Sequence, residues 1–145
     1  MEKVSLIAYS RTLWLLLLLF CFRVFAQFTV YFYDVPFLPA FERWHSDSMP
    51  YAALVFFQFI IVLILGRIAL QLQRNQIVAR FKAGVFLLFI GGLYFFVMSA
   101  RLLNSLVELS EHVWWNQPIP SAFHLVLASF LIVVGLFHCR HGREQ

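Results

Sequence analysis

Charge is scarce in this sequence. Asp, Glu, Lys and Arg make up 12% of its 145 residues, against about 25% in soluble globular domains. That argues against a water-exposed globule, which needs ionic groups to coat its surface. Cysteine is nearly absent too. Cys21 lies inside the first apolar run and Cys139 near the C-terminus. Without a Cys-x-x-Cys, neither a disulfide framework nor a thiol-redox centre is expected. The chain carries no glycine-rich phosphate loop, no Ser-His-Asp or Cys-His arrangement and no series of carboxylates within its apolar segments. Those gaps remove the usual signatures of phosphoryl transfer, nucleophilic hydrolysis and proton relays. Repeats, low-complexity tracts and flexible linkers are missing as well, so residues 1–145 read as a single domain.

What the sequence has instead is apolar length. It is 62% hydrophobic and 19% aromatic, mostly Phe, with a mean hydropathy of +0.82. A membrane-crossing helix takes about 20 apolar residues, and four stretches qualify, at about 12–33, 51–72, 84–104 and 121–138. The fold class expected is an all-α membrane protein, a four-helix transmembrane bundle. The third helix is expected to continue to about 112. There Leu102, Leu106 and Leu109 alternate with Arg101, Ser105, Glu108 and His112 at helical spacing, ahead of an interface anchor at Trp114-Trp115. In the loop after the first span, Pro39 opens a short interfacial helix through His45. Phe37, Leu38, Phe41 and Trp44 are then placed in the headgroup layer.

The net charge of +4 reads as topology and not as nucleic-acid binding. Lys3 and Arg11 precede the first span, Arg67, Arg74, Arg80 and Lys82 surround the link between the second and third, and Arg140 and Arg143 follow the fourth. The other two loops hold Asp34, Glu42, Arg43 and Asp47, then Glu108 and Glu111. The positive-inside rule then puts both termini in the cytoplasm, and a bacterial inner membrane is the plain expectation. Lys3, Arg11, the leucine run and Val24-Phe25-Ala26 also read as a signal peptide with a small-residue cleavage site. Cleavage would leave three spans in the same orientation.

The first span contains a charge that needs a reason. At about 100° per residue, Phe20, Arg23, Gln27, Tyr31 and Asp34 share one face. Lipid satisfies none of the polar groups, so this face is expected to point inward. Gln58 lies as far below the outer end of the second span as Gln27 does in the first. Tyr94 and Arg101 share a face of the third span, and His124 lies one turn into the fourth. Arg23, Gln27, Gln58, Tyr94, Arg101 and His124 thus form a candidate ligand site in the outer half of the bundle. It suits the oxygens of a lipid headgroup or a quinone, with aromatic walls for the apolar part. The alternative for the same residues is structural: Gln27 and Gln58 join helices, and Arg23 caps carbonyls or meets a carboxylate on another subunit.

Other clusters are weaker. His45 with Glu42 or Asp47, and His112 with Glu108 or Glu111, lack zinc-signature spacing, and His138-Cys139-Arg140-His141 reads as a basic exit sequence. His124 and His138 are fourteen residues apart on one apolar span, with Ala128, Leu131 and Gly135 in their stripe. That spacing resembles the cytochrome b family, and the resemblance implies axial ligation of two stacked haems. It covers one spacing, and with no second histidine-bearing span only a homodimer completes it.

Three functions follow, in order. The first is a non-enzymatic accessory or interaction subunit of a membrane complex, in contact with the lipid bilayer and with another membrane protein or a second copy of itself. The second is a lipid- or quinone-binding protein. The third is a dihaem homodimer through His124 and His138. Gly84, Gly91 and Gly92 are expected to permit close helix approach, and Arg67 is expected to snorkel.

Overall fold

The structure, a computed structural model, describes residues 2–33, 36–38, 50–107 and 118–142. Among them every element is an α-helix: α1 (Glu2–Phe32), α2 (Tyr51–Gln73), α3 (Phe81–Leu106) and α4 (Pro118–His141). All four are long and apolar enough to cross a membrane, which fits an integral, multi-pass membrane protein. The backbone explains the choice of element, because only a helix satisfies its own N–H and C=O groups inside hydrocarbon. α1, α2 and α3 contain no proline. α4 places Pro118 and Pro120 in its first turn, where a missing N–H breaks no intrahelical bond. The hydroxyls of Thr12 and Thr29 donate back to the carbonyls of Ala8 and Phe25, each at 2.9 Å, so neither polar group is left to face lipid unsatisfied.

Helix ends depart from the expected spans in one direction. α1 starts about ten residues before position 12 and runs without a break through Ala26, which is 3% exposed. α3 begins three residues before Gly84 and ends at Leu106. Its expected continuation to 112 and the interfacial helix at 39–45 lie outside the described residues. α2 stops at a defined turn. Asn75 adopts φ 54°, a left-handed conformation that Asn tolerates better than most residues. The N–H of Gln76 then donates to Gln71 O at 2.9 Å, and that of Asn75 to Leu72 O at 3.0 Å. These two bonds form a Schellman cap, which satisfies the last carbonyls and reverses the chain toward α3.

Packing follows the order α2, α1, α4, α3. α1 packs on α2 and on α4, α3 packs on α4, and α2 and α3 make no close backbone approach. The expected bundle is therefore an open row and not a closed ring. Paired residues show that neighbours run antiparallel: Trp14 bonds Gln73 while Gln27 bonds Gln58, and Tyr9 meets Phe137 while Arg23 meets Phe123. The apolar core lies where α1, α2 and α4 converge, built from Leu13, Leu17, Leu65, Ala69, Phe130 and Val134 among others. It occupies the half of the molecule that carries the N-terminus.

The α3–α4 contact is the closest of the three, and it depends on small residues. A Cβ added at Gly84 would lie 2.6 Å from Cys139 N and 2.9 Å from Gly135 O, and one at Gly135 would lie 3.0 Å from Leu88 N. Backbone here rests on backbone, as expected for Gly84 and, against Ile132, for Gly91. The expectation for Gly92 is corrected. A Cβ there meets nothing within 4 Å, because a residue next to Gly91 points about 100° away around the helix.

Candidate functional site

The six residues singled out in the outer half converge from all four helices. Arg23 and Gln27 come from α1, Gln58 from α2, Tyr94 and Arg101 from α3, and His124 from α4. The inward face of α1 is as its sequence implies: Phe20, Arg23 and Gln27 are all buried, Gln27 completely. The stripe opens at its top, where Tyr31 is 49% exposed and stacks on Tyr51 of α2 with ring centroids 4.3 Å apart.

Gln58 Nε2 donates to Gln27 Oε1 at 3.1 Å. With 0% and 3% exposure, the two amides answer each other inside the α1–α2 contact and clamp those helices. On the other side of α1, the Arg23 guanidinium carbon lies 5.6 Å from the centroid of the Phe123 ring, within the range of cation–π attraction. The aromatic face takes a charge that hydrocarbon would reject. Farther along the row, Tyr94 OH and His124 Nδ1 are 2.5 Å apart and join α3 to α4. Arg23 and Arg101 both lie within electrostatic range of Tyr94 and His124. Two guanidiniums and a phenol–imidazole pair thus gather beside one buried amide pair.

Phe123 and Tyr51 were not read from the sequence as members of this cluster. Phe123 precedes His124 and so shares its depth, and an arginine at matching depth on a neighbouring helix is the signal that finds it. Trp14 Nε1 donating to Gln73 Oε1 at 3.0 Å follows in the same way. Once Gln27 is opposite Gln58 in an antiparallel pair, Trp14 falls opposite the end of α2.

His138 lies at the other end of α4 from His124. Its Nδ1 accepts the backbone N–H of Arg80 at 3.1 Å, which leaves the ring proton on Nε2, the atom an axial haem ligand would use. Both histidines of the haem spacing are thus engaged by α3 or by the residue that caps it. Arg67 is exposed as expected, one turn from the partly buried Gln71 on the same face of α2. The acidic and histidine sets at 42–47 and 108–112 lie outside the described residues. Comparison with protein-family models, curated proteins and solved structures finds no match.

Proposed function

We propose that this is a non-enzymatic integral membrane subunit that works by lateral assembly, with another membrane protein or a second copy of itself. The observation that carries this reading is the open helix row. α1 and α4 lie inside it, while α2 and α3 form its two edges. α3 is the least buried span, at 11% against 33% for α1 and α4. Its outward side is strongly aromatic: Phe86, Phe89 and Phe96 are 63%, 71% and 72% exposed. The buried polar groups support the same reading, since Gln27 with Gln58 and Tyr94 with His124 lock helices together. In this reading both termini are cytoplasmic by the charge rule, and the membrane is a bacterial inner membrane.

The test is site-specific photocrosslinking in native membranes. A photoreactive residue at Phe96 should give one discrete protein adduct, and the same residue at Val62, which is half-buried in α2, should not. Purification in mild detergent should yield a complex larger than the monomer. Lipid adducts alone from Phe96, together with a monodisperse monomer, would remove the proposal.

A second reading has its own support, the convergence of Arg23 and Arg101 on the Tyr94–His124 pair. In it the outer half holds a carbonyl-bearing or anionic amphiphile, a lipid or a quinone. Native mass spectrometry should then show a bound amphiphile that Arg23→Ala loses, while Arg11→Ala at the opposite end of α1 retains it. Equal retention in the two variants would eliminate this reading. No observation adds support to the haem alternative: His124 pairs with Tyr94, and His138 with the Arg80 backbone N–H.

A further inference from the structure

The gap between α2 and α3 is lined, shaped and charged as a binding site. A cavity of about 460 Å³ runs into it, lined by Ile68, Leu87, Phe130 and Val134 together with the polar Gln71, Gln76, Arg80 and His138. A second cavity, of about 410 Å³, adjoins it across Gln71 and Gln76; it lies on the surface of α2 and the link after it, bordered by Leu63, Leu70, Arg67 and Arg74. Each falls within the range of about 300–1,000 Å³ usual for small-molecule sites. The two lie side by side at one end of the molecule, at the level where α2 stops and α3 starts.

The charge at that level has one sign. From Ser48 to Val107 the sequence contains no Asp or Glu, and it carries Arg67, Arg74, Arg80 and Lys82 around the link. All four are exposed. Arg74 and Arg80 flank the Schellman turn, and His138 of α4 fixes the Arg80 backbone by accepting its N–H at 3.1 Å. Arg67 lies one to two turns deeper, about 10 Å below the end of α2, on the rim of the second cavity. Topology alone needs cations near the membrane end. It does not need an apolar cleft between two helices beneath them, nor a second recess beside it with a guanidinium on its rim.

We infer that this gap, with the α2 surface beside it, is a site for an anionic phospholipid, its phosphate held by Arg74 and Arg80, one acyl chain lying in the gap cavity and the other in the cavity along α2. Guanidinium matches phosphate oxygens with paired donors. Basic recesses between transmembrane helices suit anionic headgroups, at about 1 kcal/mol for each arginine near the surface. Gln71 and Gln76, between the cavities, are placed to bond the ester carbonyls where the chains part. Occupancy would also supply a filling between two helices whose backbones do not approach closely. The inference is independent of the subunit reading, which concerns the outward face of α3.

The experiment is native mass spectrometry of the detergent-purified full chain, titrated with dioleoyl phosphatidylglycerol or with dioleoyl phosphatidylcholine. The wild type should retain phosphatidylglycerol to higher collision energy and lower concentration. Arg74→Gln and Arg80→Gln should each lower that retention about fivefold, and the pair together should abolish the headgroup preference. Arg11→Gln, outside the gap, should leave it unchanged. Val134→Trp, which fills the first cavity, should reduce retention of both lipids while circular dichroism stays helical. Equal retention of the two lipids by the wild type, or an unaltered preference in the Arg74→Gln/Arg80→Gln protein, overturns the inference. So does displacement of the preference by millimolar inorganic phosphate, which would mark a headgroup site with no chain cavities.

Discussion

Gly84→Ala should loosen α3 from α4 while Gly92→Ala should leave them together. The two substitutions add the same methyl group to one helix, and intrinsic propensity favours both by about 0.5–1 kcal/mol. Surroundings reverse the outcome at Gly84. The new Cβ would stand 2.6 Å from Cys139 N and 2.9 Å from Gly135 O, and neither atom belongs to a side chain that can rotate away. The helices must separate, and overpacking of this kind costs about 1–3 kcal/mol. In a membrane that loss is hard to recover, because apolar side chains gain little by leaving lipid for protein and close packing carries much of the association. Thermal unfolding in detergent should place Gly84→Ala clearly below the wild type and Gly92→Ala at or above it. Indistinguishable melting of the two variants would mean that the close approach of α3 and α4 contributes nothing to stability.

Gln58→Leu should be more damaging alone than in company with Gln27→Leu. Gln27 has 0% exposure and receives its bond from Gln58 Nε2 at 3.1 Å. Removing the donor leaves a carbonyl oxygen buried without that partner, at a cost of about 1–3 kcal/mol. Bonds between membrane helices usually measure lower, about 0.6–1.7 kcal/mol, since the separated helices find other partners. A loss of about 1–2 kcal/mol is therefore expected for either single change. Replacing both amides removes the desolvated groups together, so the double variant should recover much of the loss. A full double-mutant cycle by denaturant titration in micelles gives the coupling directly, and strictly additive effects would show that the pair does not clamp α1 to α2. Loss of the clamp should also disturb Arg23, one turn away on the same face.

The inward face of α1 was legible because its period is local. Arg23 and Gln27 are four residues apart, and no lipid contact satisfies either. Matched depth then put Gln58 opposite Gln27, because helix rise is constant and the spans end at the same surface. Tyr94 and His124 came together for the same reason. Depth is one coordinate, however, and it leaves open which helix neighbours which. Depth therefore gives Arg23 a level but not the Phe123 ring, and charge marks Arg80 as a topology signal without placing its N–H on His138.

The sequence by itself determined the number of spans, their ends to within a turn or so at most boundaries, and the face of α1 that turns inward. Those follow from the bilayer's thickness and from the cost of an unsatisfied polar group in hydrocarbon, and both act on one helix at a time. Only the tertiary structure decided the order α2, α1, α4, α3 and the gap it leaves between α2 and α3. That order depends on which small residues meet across a contact, Gly84 and Gly135 fitting where Gly92 finds open space. Short-range contact of that kind joins residues about fifty positions apart in the chain.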